Sequence, residues 1–237
     1  MRGQVLMMTP NEDESLDILS NRLKIGIPTQ YFRFGDGQIQ AILQQGTNNC
    51  DGELYTKELG INLLRVVTGV MTSPNPFVGD YGQIIDREKA PYKAEWESLS
   101  AHRSAQFLHY EAPLLMRTSK PLLDFYKTIR QDTRKKAFLG PKANEEACKL
   151  LDAQFIEYPR HYQSLSEIAN ILDGHRFDIL ISGAGMGSAV PIYDDWIRHR
   201  ERTYINVGSA FDPLFTGRTR SYQLGMETAR AFFKELL

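Results

Sequence analysis

The chain has 237 residues, of which 42% are hydrophobic and 24% charged, and its formal net charge is −1. These values suit a globular protein with a sizeable core and exclude a dominant, strongly basic nucleic-acid surface. Cys50 and Cys148 match no metal-ligand or redox spacing, which fits a reducing cytoplasm, and the apolar run at Met1 to Met8 is too short for a signal peptide or a membrane span.

Asn11-Glu12-Asp13-Glu14 predicts a helix start, with Asn11 as cap and Glu14 three residues on. Leu16, Leu19 and Leu23 give that helix an apolar stripe, and Gly26 with Pro28 end it. Thr29, Tyr31, Phe32 and Phe34 read as a short buried strand. Gly35 and Gly37 flank Asp36, and Gln38 to Leu43 reads as a helix, so one carboxylate is presented at a strand-to-helix turn. A further helix is expected from about Gly52, burying Tyr55, Leu59, Leu63 and Val67 and pairing Glu53 with Lys57 on its solvated side. Thr72 to Phe77 reads as a loop by its prolines, and Asp80 beyond it as a residue of a surface turn or a cleft. Lys93 to about Phe107 is helical by pattern, with Trp96 and Leu99 on one face. His102 and His109 fall at a spacing that lets them share a helix face, but they lack a matching carboxylate. A helix to about Gln131 follows Met116 to Pro121, and Arg130, Arg134, Lys135 and Lys136 read as a solvated basic end.

After Lys135 strands and helices alternate. Strands are expected at Ala137–Leu139, Gln154–Ile156, Phe177–Ser182 and Tyr204–Val207, with helices at Asn144–Leu151, Ser164–Leu172, Val190–His199 and Tyr222–Leu237. The alternation predicts a single α/β domain with a Rossmann-like parallel sheet flanked by helices, helix-rich to about residue 135 and βα-repeating after it. Ligands of such sheets sit beyond the carboxyl ends of the strands.

Two stretches carry the chemistry. Arg33-Phe34-Gly35-Asp36-Gly37 resembles the R-F-G-D-G-E signature of the GT-D glycosyltransferases, in which the Asp and Glu hold a divalent metal and the diphosphate of a nucleotide sugar. Gln38 stands in place of that Glu; its amide oxygen can ligate a hard cation but adds no charge. The second is Gly183-Ala184-Gly185-Met186-Gly187-Ser188, between a strand and a helix, a setting that suits a phosphate. A dinucleotide fingerprint would need Gly where Ser188 stands. A methyltransferase loop would follow the first strand of its sheet. The late strand–glycine–helix turn of the GT-D family, followed here by Ile205 to Asp212, is the third resemblance.

The family resemblance implies a glycosyltransferase that moves a sugar from a nucleotide-sugar donor, with a UDP-sugar as the expected one, to a hydroxyl acceptor, on a saccharide or a glycoprotein. It implies Mn²⁺ or Mg²⁺ on Asp36 and Gln38. Nucleotide-sugar contacts are assigned to Arg33, Gly35, Gly37, Gly183, Gly185, Gly187, Ser188, Arg218 and Arg220, with Lys142 a further basic candidate. Arg33 is expected to touch phosphate or to hold Asp36. Asp212, fixed before Pro213, is the candidate base. Other readings stay open: a phage-type enzyme acting on hydroxymethylated DNA bases with Tyr81, Tyr158 and Tyr162 around an extruded base, an S-adenosylmethionine-dependent methyltransferase, and a non-catalytic nucleotide binder.

Overall fold

The computed structural model describes residues 9–49, 52–84, 92–101, 103–114, 117–159, 164–215 and 225–236. Runs of aromatic and aliphatic residues form seven short strands: β1 (Gln30–Arg33), β2 (Phe77–Asp80), β3 (Gln106–His109), β4 (Lys136–Gly140), β5 (Gln154–Glu157), β6 (Ile179–Ser182) and β7 (Thr203–Asn206). They make one sheet in the order β3-β2-β1-β7-β6-β4-β5, and every neighbouring pair is parallel. This is the Rossmann-like architecture the sequence predicts.

Successive side chains of a strand point to opposite faces, so each central strand feeds two cores. Phe32, Leu180 and Tyr204 pack on one side with α2 (Asp36–Leu43), α3 (Lys57–Met71), α4 (Lys93–Ser100) and α8 (Ala189–Arg198). Tyr31, Ile179, Ile181 and Ile205 pack on the other, against α1 (Glu12–Lys24), α5 (Lys120–Gln131), α6 (Ala147–Leu151) and α10 (Met226–Lys234). The start of α1 is the predicted capping box: Asn11 Oδ1 accepts the Glu14 N–H at 2.9 Å and Glu14 Oε2 accepts the Asn11 N–H at 3.0 Å. No helix among the described residues is long and apolar enough to cross a membrane.

Several local expectations are corrected. The helix expected from Gly52 starts at Lys57, where the Thr56 hydroxyl accepts the Leu59 N–H at 3.1 Å, so Tyr55 lies ahead of it. Glu53 is not solvated but 1% exposed. Residues 77–80 form β2 rather than loop and turn, and Asp80 accepts bonds from Thr9 Oγ1 and the Gly82 N–H at 2.9 and 3.1 Å. Gly79 lets β2 lie against its neighbours, since a Cβ there would stand 3.0 Å from the Tyr31 hydroxyl. The helix at Lys93 ends at Ser100, and Phe107 and His109 belong to β3; His102 lies outside the described residues. Lys136 is buried, its Nζ donating to the carbonyls of Arg130, in the last turn of α5, and of its C-cap Asp132. The helix expected at 144–151 divides into a 3₁₀ turn, Lys142–Asn144, and α6; that at 164–172 shortens to α7 (Ser166–Ala169).

Candidate functional site

The sheet order reverses between β1 and β7. From β1 the chain continues outward through β2 and β3, while β7 is reached from β6 on the other side. Such a reversal leaves a crevice at the carboxyl ends of the strands. A cavity of about 140 Å³ lies there. It is lined by Arg33 and residues 35–38 after β1, by 183–186 after β6, and by Asn206, Gly208, Ser209 and Asp212 after β7. Tyr81 and Tyr110 close it from the β2 and β3 side, and Asn49 and Tyr55 from the segment after α2. The Asp36 turn and the glycine loop therefore face one hollow.

Arg33 is the last residue of β1 and only 7% exposed. Its Nε donates to the Tyr110 carbonyl at 2.7 Å, and its guanidinium lies 4.3 Å from the centre of the Tyr110 ring. It makes no ion pair with Asp36, and its terminal amino groups make no hydrogen bond with any described residue. Gly208 makes room for it. That residue has φ +53°, a left-handed conformation, and a Cβ there would stand 2.1 Å from Arg33 Nη1. Asn206 fixes the turn, its Oδ1 accepting the Gly208 N–H at 2.9 Å.

Asp36 opens α2, is exposed, and makes no side-chain bond among the described residues. Gln38 sits one step further round. Its Oε1 accepts the Gly35 N–H at 2.9 Å, as the third residue of a helix commonly does for its cap. A backbone donor requires an acceptor, so the oxygen is the atom bonded to Gly35, and the residue also lines the cavity. Gly35 is needed because a Cβ would meet the Tyr110 hydroxyl at 2.4 Å; at Gly37 a Cβ would make only ordinary contact with Met186 and Asn49.

The glycine loop is held from inside. Glu53 Oε2 accepts the Met186 N–H at 2.7 Å and Asn49 Nδ2–H at 2.9 Å, and Oε1 accepts the Tyr158 hydroxyl at 2.8 Å. Gly183 and Gly185 line the cavity. Gly187 and Ser188 are buried in the 3₁₀ turn Met186–Ser188, and the Ser188 hydroxyl donates to the Gly185 carbonyl at 2.7 Å. Asp212 opens the short helix α9 (Asp212–Phe215), is 8% exposed, and accepts from Asn144 Nδ2 at 2.9 Å.

Lys142 lies outside the cavity, exposed and paired with Glu145 at 2.8 Å. Tyr158 is buried against Glu53. Arg218, Arg220 and Tyr162 lie outside the described residues. Burial, helped by Glu145 and Glu146, pushes the Cys148 thiol up to about 12, which disfavours the thiolate. The sequence reading missed Tyr110, which has no local signature, and Glu53. The turn-rich run Asn48-Asn49-Cys50-Asp51-Gly52 ahead of Glu53 was the available sign that a bend, not a helix, begins there.

The residues fit a divalent cation in one way only. Among the described residues no three His, Cys, Asp or Glu side chains gather to hold a metal. Asp36 offers one carboxylate, which suffices for Mg²⁺ or Mn²⁺ when the oxygens of a bound phosphate complete the shell.

No protein-family model and no curated protein sequence matches the chain. A solved structure described as the selenomethionine-substituted domain of unknown function 1792 matches in fold, with a TM-score of 0.52 and 12% identity over 84% of this chain and 82% of that one. The match shows a shared fold, the parallel seven-stranded α/β architecture described above.

Proposed function

We propose that this chain, with its GT-D type fold, transfers a glycosyl group from a nucleoside-diphosphate sugar to a hydroxyl acceptor. The observation that carries the reading is Arg33. A guanidinium removed from water without a counter-charge costs several kcal/mol, which an anion brought by a ligand offsets. Here the cation looks into a hollow at a strand-order reversal, beside backbone that glycines keep bare. A diphosphate has the charge and the shape for that place.

In this reading Arg33 and the Gln38 amino group bind the diphosphate. Asp36, together with the phosphate oxygens, would hold a divalent cation, which neutralises charge on the leaving group when bound. The bond from the sugar's anomeric carbon to the diphosphate oxygen breaks, and a bond from that carbon to the acceptor oxygen forms. Asp212, held by Asn144, takes the proton the acceptor hydroxyl gives up. The methyltransferase alternative loses support from the position of the glycine loop, which follows β6 and has its first helical amide taken by Glu53. Of the tyrosines a DNA-base acceptor would use, Tyr158 is spent in the core and Tyr81 lines the cavity.

The test is a donor screen by calorimetry and thermal shift, with and without Mn²⁺, on the parent chain, Arg33→Met and Asp36→Ala. One nucleoside diphosphate should bind the parent. Arg33→Met should weaken it by about tenfold or more, the worth of a charge-assisted bond. Asp36→Ala should stay folded and lose transfer. Equal affinity in Arg33→Met, or full transfer by Asp36→Ala, would end the proposal.

A further inference from the structure

We infer that Glu53 is a positioning residue, a clasp that joins two walls of the cavity and fixes its shape. The inference deepens the nucleoside-diphosphate reading and rests on it for the ligand, but the clasp itself is a property of the chain.

The first wall is the bend between α2 and α3. Asn49 and Glu53 hold each other there: the Glu53 N–H donates to Asn49 Oδ1 at 2.9 Å and the Asn49 N–H donates to the Glu53 carbonyl at 3.0 Å, beside an antiparallel bridge between Asn48 and Leu54. This bend brings Asn49 and Tyr55 to the cavity. The second wall is the glycine loop, whose residues 183–186 also line it. The Glu53 carboxylate spans the two, bonded to Asn49 on one side and to the Met186 N–H on the other, with the Tyr158 hydroxyl beyond the end of β5 as a third anchor.

Two features argue that this carboxylate does more than fill space. An apolar side chain of similar size would occupy a site that is 1% exposed without the cost of desolvating a charge. The loop is also built around it: a Cβ at Gly185 would stand 2.3 to 2.4 Å from the three carboxylate atoms of Glu53. Gly185 is therefore a glycine because Glu53 is there. The amide at the start of the helical run through α8 is satisfied by the protein's own anion, so it is not offered to an incoming phosphate.

The experiment measures amide exchange over residues 183–187 by mass spectrometry, and UDP affinity by calorimetry, in Glu53→Ala, Glu53→Gln, Gly185→Ala and the double variant Glu53→Ala/Gly185→Ala. In Glu53→Gln the amide oxygen can keep the Met186 and Asn49 bonds while the Tyr158 hydroxyl turns to accept from the new amino group. Glu53→Ala should exchange about tenfold faster in the loop or more, with UDP binding weakened by a similar factor, and Glu53→Gln should restore most of both. Gly185→Ala should be impaired alone, yet add nothing to Glu53→Ala, because the group it collides with is gone. Unchanged loop exchange in Glu53→Ala, or additive losses in the double variant, would overturn the clasp. If the parent binds no UDP or other nucleoside diphosphate, the functional reading fails, while the exchange measurements still decide the clasp.

Discussion

At the scale of single residues, the site depends on which atom of a side chain is already committed. Gln38 illustrates this. Its oxygen serves the Gly35 N–H, so the position offers a donor to the cavity, where a glutamate in the same pose would offer a second oxygen. Gln38→Glu should therefore keep the helix cap and place a new negative charge near Asp36. Mn²⁺ affinity of the UDP complex should rise by about tenfold, because ligand charge count tunes such sites; titration followed by the Mn²⁺ paramagnetic resonance signal measures it. An unchanged affinity would mean that position 38 does not reach the cation. Asp36, Arg33 and Gly185 were all legible as candidates, because glycines beside a charged residue at a strand end are visible in one dimension. Glu53 was not, since a glutamate four residues before a lysine looks the same whether the pair is solvated or the acid is buried 105 residues away in sequence against Tyr158.

Among the elements, the boundary between α5 and β4 concentrates charge. Burial works to raise the Asp132 carboxyl, but the Arg134 guanidinium bonded to it at 2.7 Å, the Arg134 N–H and the Lys136 charge together outweigh burial and hold it below the usual value of 3.8. A carboxylate depressed in the folded state contributes stability above its unfolded pKa and loses it as pH falls through the folded one. Asp132→Asn should thus cost about 1 kcal/mol at neutral pH, and its deficit should fade at a pH well below 3.8. Urea unfolding at both pH values measures this, and a deficit independent of pH would contradict it. The same region shows where sequence patterns mislead. α1, α5 and β4 to β7 announce themselves through caps and alternation. Strands β2 and β3 do not: each is only four residues long, and in β3 only Leu108 is buried, so neither gives a run or a period that tells strand from helix or loop. Pro74 and Pro76 beside β2, and the helical texture running into β3, tipped the balance the wrong way.

For the whole molecule, the central pairing joins distant parts of the chain: the Thr29 N–H donates to Thr203 Oγ1 across 174 residues. The part before residue 135 and the part after it share one sheet, so they should unfold together. The two tryptophans report on this, because Trp96 stands on α4 near Phe107 and Tyr81, and Trp196 on α8 against Phe32. Within each single-tryptophan variant, Trp96→Phe and Trp196→Phe, fluorescence and far-ultraviolet circular dichroism should give coincident urea midpoints. Separate midpoints would mean that the two halves are independent units.

The same long-range pairing has a bearing on synthesis. At roughly 5–20 residues per second, a ribosome that has released β1 needs on the order of ten to thirty seconds to deliver the strand that lies along its inner side, 174 residues later. Throughout that interval the nascent chain carries Tyr31 and Phe32 on an open strand margin, the kind of template other chains adhere to. Transcripts truncated before Thr203 should therefore yield sticky fragments rather than small folded pieces, and overproduction would gain from slower translation or a holding chaperone.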